Sequence, residues 1–248
     1  MTQTRYDDIG LTYRQRRTPD PQITAQLARY VDDAGTVLNV GAGAGSYEPA
    51  SAGVVALEPS SVMIAQRPTG SAPVVQGVAE SLPFTDNSFD VVMGVLTLHH
   101  WRDWRAGLAE LLRVCRRRIV LLTWTNFPEG FWLSEYLPDL KTMDAVRFPK
   151  AHEYGEVLGD LAFEPVPISA TCTDGFLCAY WQRPEAYLDP VVRASISSFA
   201  LLDAATEKRA LEELSSDLAS GRWDERWGYL RMLDSRDYGY RLLVKNVG

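Results

Sequence analysis

Three cysteines and three histidines in 248 residues leave little material for metal or disulfide chemistry. Cys115, Cys172 and Cys178 are an odd set without C-x-x-C or Cys/His spacing, so they read as core thiols of a reducing compartment, and no metal site is expected. Long apolar runs are missing too. The longest, near residues 91–98 and 119–124, fall short of the roughly 20 residues that span a bilayer, and they read as buried strands with no membrane partner. The opening MTQTRYDDIG lacks the apolar stretch of a secretory signal, which leads to an expectation of a cytoplasmic protein. A surplus of positive charge is absent as well. The net charge is −7, which offers no footprint for duplex DNA or structured RNA, so a small-molecule partner is favoured. Nothing in the composition decides between a monomer and a homodimer.

What is present is a mixture typical of a globular domain, 46% hydrophobic and 23% charged. Asp20-Pro21 followed by Ile23, Leu27, Tyr30 and Val31 carries the cap, first-turn proline and spacing of an amphipathic helix. Apolar runs and helical patterns then alternate: strand Thr36–Val40, a helix from about Tyr47, strand 54–57, a helix from Ser61, strand Val74–Gln76, strand Phe89–Val95, helix Trp104–Val114 and strand 118–124. Strands rich in Val, Ile and Leu alternating with helices predict a doubly wound, mostly parallel α/β sheet covered on both faces. Beyond Trp124 the alternation breaks. A helix is expected over 152–161, placing His152 at a helix start, and a strand over 164–170. Residues 183–234 read as a helical insertion, with a closing strand over 238–245.

The stretch Val37-Leu38-Asn39-Val40-Gly41-Ala42-Gly43-Ala44-Gly45-Ser46 runs a strand into three glycines spaced by two. In doubly wound sheets ligands sit beyond the carboxyl ends of the strands, and this first turn forms the floor of that site. Glycine permits positive φ and close approach to main chain. A dinucleotide fold calls for G-x-G-x-x-G, whereas Ser46 occupies the place of the third glycine here. Glu58, ending the second strand in Leu57-Glu58-Pro59-Ser60, can accept hydrogen bonds from two ribose hydroxyls.

Together with Gly77-Val78-Ala79-Glu80, Asp90-Val91-Val92 and Leu98-His99-His100-Trp101, these motifs resemble the class I S-adenosylmethionine-dependent methyltransferases, in particular the small-molecule branch called methyltransferase type 11. The resemblance implies a seven-stranded Rossmann-like sheet in a single domain. Residues 18–124 would form the cofactor core, 125–237 a lid and substrate-binding elaboration, and 238–248 the closing strand. It further implies S-adenosylmethionine as cofactor, with S-adenosylhomocysteine as product. Asn39, Gly41, Ala42, Gly43, Gly45 and Leu96 would line its methionine part and ribose. Glu58 would hold the ribose hydroxyls, Pro59 and Ser60 would lie beside the adenine, and Val78, Ala79 and Glu80 would meet its edge. Arg17 would pair with the methionine carboxylate, and Tyr6 and Tyr13 would fold over the site.

Methyl transfer from a sulfonium needs positioning of the nucleophile and, for some acceptors, removal of its proton. His99 and His100 follow the fourth strand where the acceptor would sit, and imidazole suits that proton transfer. Neighbouring residues at a strand end point different ways, so one of them at most faces the methyl group; both could instead only shape the pocket. Trp101, Trp124 and Phe127 follow strand ends and are the aromatic candidates for the acceptor pocket. The expected activity is O- or N-methylation of a small molecule in secondary metabolism. The alternatives are a cyclase-type catalyst that uses the sulfonium as a fixed charge, and a non-catalytic cofactor-binding protein. An NAD-dependent oxidoreductase is more distant because of Ser46.

Overall fold

The computed structural model describes residues 17–50, 53–125 and 130–248. Strands β1 (Thr36–Val40), β2 (Gly53–Glu58), β3 (Val74–Gln76), β4 (Phe89–Val95), β5 (Cys115–Trp124), β6 (Ala162–Pro165), β7 (Ile168–Ser169), β8 (Ser235–Arg236) and β9 (Tyr240–Asn246) follow in chain order. Seven of them make one sheet in the order β3-β2-β1-β4-β5-β9-β6, and β7 and β8 pair as a separate ribbon. Strands β1 to β5 run parallel, while β9 enters antiparallel between β5 and β6.

Successive strand residues face opposite sides, and both sides are buried. Val37, Val91 and Val120 enter one cluster, and their neighbours Leu38, Val92 and Ile119 the other. Helix α1 (Pro21–Val31), capped by Asp20 through the N–H groups of Gln22 and Ile23, lays Ile23, Leu27 and Val31 on the first face. On the second face lie α3 (Trp104–Val114), through Leu108, Leu111 and Val114, and α6 (Ala151–Leu158), through Tyr154 and Leu158. The short α2 (Ser61–Ala65) separates β2 from β3. His152 is exposed at the start of α6.

The chain differs from expectation at the first crossover. Residues 41–50 form turns, with no helix beginning at Tyr47, and Tyr47 itself has φ of 62°. Only twelve residues, 41–52, connect β1 to β2, close to the minimum for a parallel crossover. The late insertion is longer than expected, running from the end of β7 to the start of β8. It contains α7 (Pro190–Ala194), α8 (Ala204–Ser220) and α9 (Arg222–Trp227). The β7–β8 ribbon closes its base, and Gly221, at φ 78°, stops α8. Before it, α4 (Leu133–Tyr136) and α5 (Asp139–Arg147) follow β5.

Candidate active site

The glycine turn leaves β1, which lies beside the central strand β4, and each glycine has positive φ: 69° at Gly41, 53° at Gly43 and 95° at Gly45. What comes close to Gly41 is another part of the chain. A Cβ there would lie 2.7 Å from Thr97 Cβ and nearer still to its hydroxyl. Thr97 follows β4, which pairs directly with β1, so side chain and turn share one edge of the sheet.

Glu58 is buried at the end of β2. One carboxylate oxygen accepts from Gly43 N at 2.8 Å and the other from Ser60 N at 2.9 Å. The carboxylate thus faces the glycine turn in a fixed orientation, and a carboxylate oxygen can accept more than one hydrogen bond. Its register partner on β3 is Gln76, and two residues further on Val78 is 47% exposed. An apolar side chain next to a ribose-type carboxylate fits an adenosine face. On these two observations the residues present fit the adenosyl part of S-adenosylmethionine.

Several expected ligands have other employment. Asn39 Nδ2 donates to Glu48 at 3.4 Å, and Glu48 accepts both of its short bonds from Arg67 Nη2, at 2.8 and 2.9 Å. This ion pair, nearly buried on both sides, braces the turn from beneath. Ala42 is buried within the turn and donates its N–H to Leu57 O. Ser60 is 1% exposed and its hydroxyl caps α2 through Met63 N, so it supports Glu58 and does not present a hydroxyl to adenine. Pro59 O accepts from Gln76 Nε2. Ala79 is buried, and the Glu80 side chain accepts from Arg102 N and Asp103 N. Only main chain at those two positions is left to meet an adenine.

Beyond β4 the two histidines sit side by side in a short 3-10 turn, Leu98–His100, and not in extended strand. Leu96, at φ 51°, and His99 line a small, partly open cavity of about 40 Å³ together with Arg17, Trp124, Arg147 and Phe148. His100 does not reach it, although the imidazoles lie 3.9 Å apart. The cavity wall is aromatic: Trp124 stacks on Tyr240 at 5.3 Å, and Phe148 lies 4.7 Å from His99. Trp101, expected in the acceptor pocket, does not line this cavity. It folds back on α3, where a Cβ on Gly107 would lie 2.5 Å from its ring, and it packs on the opposite face of the sheet. Tyr6, Tyr13 and Phe127 lie outside the described residues.

Arg17 reaches the cavity but is bound to Asp174, Nη2 lying 3.3 Å from Oδ2, and Asp174 is almost wholly buried. Tyr47 Oη donates to the same Oδ2 at 2.9 Å and accepts from Asp20 N at 3.1 Å. Burial, reinforced by the Asp174 charge, holds the Tyr47 phenol far above its ordinary value, so it stays a donor. Burial likewise pushes the Cys172 thiol up to about 12 and raises that of Cys115, which leaves both as inert packing groups. Sequence reasoning passed over Thr97, Tyr47, Asp174, Arg147, Phe148 and Tyr240 as site residues. Their only signal was lying near a strand end or in the aromatic stretch after β5.

Among the described residues no group of His, Cys, Asp and Glu is arranged to hold a metal ion, and no helix is long and apolar enough to cross a membrane. Residues 38–122 match the family model described as a methyltransferase domain. Over shorter stretches the chain is 32% identical to the YcgJ methyltransferase of Bacillus subtilis (119 residues, 43% of this chain and 47% of that one). It is 30% identical to a rice chloroplast 2-methyl-6-phytyl-1,4-hydroquinone methyltransferase (95 residues, 38% and 26%). The chain thus spans from about a quarter to about half the length of these two curated relatives. A crystal structure from Anabaena variabilis, of a protein named for a methyltransferase of an antibiotic biosynthesis pathway, superposes with a TM-score of 0.87 at 32% identity, covering 94% of this chain and 100% of that one. With the strand order, the glycine turn and the Glu58 carboxylate, these likenesses establish that the chain belongs to the class I S-adenosylmethionine-dependent methyltransferase family.

Proposed function

We propose that this chain transfers the methyl group of S-adenosylmethionine to an oxygen or nitrogen atom of a small organic molecule, in the cytoplasm and within secondary metabolism. The observation that carries the reading is that one sheet edge holds both the Gly43–Glu58 cradle and, beyond β4, His99 at the wall of an aromatic cavity. The pathway named for the Anabaena variabilis relative supports the metabolic context. The family match ends at residue 122, before Trp124, Arg147, Phe148 and Tyr240, so the acceptor does not follow from the family.

When bound, S-adenosylmethionine supplies a methyl group on positively charged sulfur, which leaves with its bonding electrons as a neutral thioether. The chain supplies the rest. Gly41, Gly43 and Gly45 present bare main chain to the methionine part and ribose, and Glu58 accepts from the ribose hydroxyls. Val78 and the main chain of Ala79 and Glu80 flank the adenine. Arg17, oriented by Asp174, donates to the methionine carboxylate, and Leu96 borders the same space. His99 takes the acceptor's proton, and the rings of Trp124, Phe148 and Tyr240 exclude water. The space of about 40 Å³ holds only a few water molecules. The elaboration therefore acts as a lid, and residues 147–148 and 195–198 must part to admit an acceptor.

The test is calorimetric titration of the purified chain with S-adenosylhomocysteine, beside Glu58→Ala, followed by mass spectrometry of reactions with candidate acceptors. Binding that is lost in the variant, with product gaining one methyl, supports the reading. Failure to bind either form of the cofactor removes it.

A further inference from the structure

Residues 172–177, which follow β7, touch the cofactor side of the molecule at one end and the acceptor side at the other. At the first end Thr173 donates its N–H to Asp20 Oδ2 at 3.2 Å and its hydroxyl to Pro19 O at 3.3 Å, beside the cap of α1. Asp174 pairs with Arg17 both as an antiparallel main-chain bridge and through the side chains, and it accepts from Tyr47 Oη of the glycine turn. At the second end Phe176 and Leu177 line the cavity, and Phe176 lies 4.8 Å from Tyr240. Ser195, another lining residue just after α7, shares its hydroxyl between Val192 O and Gly175 O, at 2.7 and 3.2 Å.

Asp174 is 1% exposed. A carboxylate withdrawn from water is tolerated only while its donors are in place, so Arg17, Tyr47 and residues 172–177 dock as one unit. Tyr47, at φ 62°, holds a left-handed backbone that a bulky residue keeps only where its surroundings fix it, and the bond to Asp174 is one such contact. We infer that residues 172–177 form a strap that transmits cofactor occupancy to the acceptor cavity, with Asp174 as the positioning residue that holds Arg17 and Tyr47 at its cofactor end. A cofactor that meets both Arg17 and the glycine turn binds the docked strap better than the lifted one, which is the differential interaction that coupling requires. Docking sets Phe176 and Leu177 into the cavity wall, so cofactor binding favours a completed acceptor site. By linkage, the acceptor tightens the cofactor to the same degree. The inference deepens the methyl-transfer reading and rests on it for the identity of the cofactor.

Hydrogen exchange read by mass spectrometry tests this, with and without S-adenosylhomocysteine at a saturation set by calorimetry. In the unaltered chain the ligand is expected to slow exchange about fivefold or more in the glycine turn, in the strap and in residues 195–198. Asp174→Asn and Tyr47→Phe, each saturated, keep the slowing in the glycine turn and lose it in residues 195–198. Tyr47→Phe retains the Arg17 pair and a ring of the same shape, so it carries the contrast if Asp174→Asn does not fold or does not saturate. Slowing confined to the glycine turn of the unaltered chain overturns the inference, as does slowing at residues 195–198 that survives in either variant. Failure of folded Tyr47→Phe to bind S-adenosylhomocysteine overturns it too, since the phenol would then serve the cofactor directly. If the unaltered chain binds no S-adenosylhomocysteine, the methyl-transfer reading fails and the inference falls with it; binding without transmission removes the inference alone.

Discussion

The phenol of Tyr47 donates to the carboxylate of Asp174 at 2.9 Å and so ties the glycine turn to the C-terminal elaboration, 127 residues away in sequence. It stands where a crossover helix was expected, at the end of a connection shortened to turns. Tyr47→Phe removes one donor from a buried carboxylate and one acceptor from Asp20 N. The expected loss is about 1–3 kcal/mol of stability, read from urea unfolding. An unchanged midpoint would mean that this link is not maintained in solution.

Glu58 is expected to govern cofactor affinity. Hydrogen bonds to a charged group contribute roughly 1.5–3 kcal/mol each, so Glu58→Gln should weaken S-adenosylhomocysteine binding by about ten- to a hundredfold. Because Glu58 also anchors Gly43 N and Ser60 N, a modest drop in melting temperature should accompany the loss. Affinity within twofold of the unaltered chain would place the ribose elsewhere.

Gly41 and Gly70 make a controlled pair. Both have positive φ, 69° and 85°, but a Cβ at Gly70 meets nothing within 4 Å, whereas one at Gly41 collides with Thr97. Gly70→Ala should cost only the backbone strain of about 1–2 kcal/mol. Gly41→Ala should cost about 1–3 kcal/mol more, and Thr97→Gly in the same chain should recover much of that excess. Equal costs for the two alanines would show that the turn can move away from β4.

The two histidines should separate kinetically. Once an acceptor is found, His99→Ala is expected to lower kcat about a hundredfold if proton removal is required. His100→Ala, outside the cavity, should stay within a few fold. Equal effects would reduce His99 to a shaping role.

Acid should weaken the loop after β3. Glu110 accepts from Arg113 Nε at 2.7 Å and from Leu82 N at 2.7 Å, and the Arg113 guanidinium holds its carboxyl below the ordinary value of 4.5. A carboxylate whose pKa is lower folded than unfolded adds stability above the unfolded value and loses it as pH falls through the folded one. The melting temperature should therefore decline below about pH 4.5, and more shallowly in Glu110→Gln. Parallel profiles for the two proteins would remove Glu110 from the account.

Local chemistry was enough to place much of this molecule. Apolar runs located β1, β3 and β4 to the residue, the Asp20-Pro21 cap located α1, and Gly221 located the end of α8, because each depends on neighbours in sequence. Glu58 was legible for the same reason, ending a strand beside a glycine turn. The helix expected at Tyr47 was a misreading that the short connection to β2 could have corrected.

The order of strands decided everything else. Pairing β4 beside β1 sets Thr97 against Gly41, and the 3-10 turn Leu98–His100 after β4 puts His99, and not His100, at the cavity wall. Trp101 shares the strand-end position of Trp124 in sequence, yet it turns to the other face because Gly107 leaves room for its ring. Arg147, Phe148 and Tyr240 meet only when α5 and β9 close over β5. Strand and helix signals arise within a few residues of chain, so the sequence alone determined them; a binding site is assembled from contacts between distant segments, which only packing brings together.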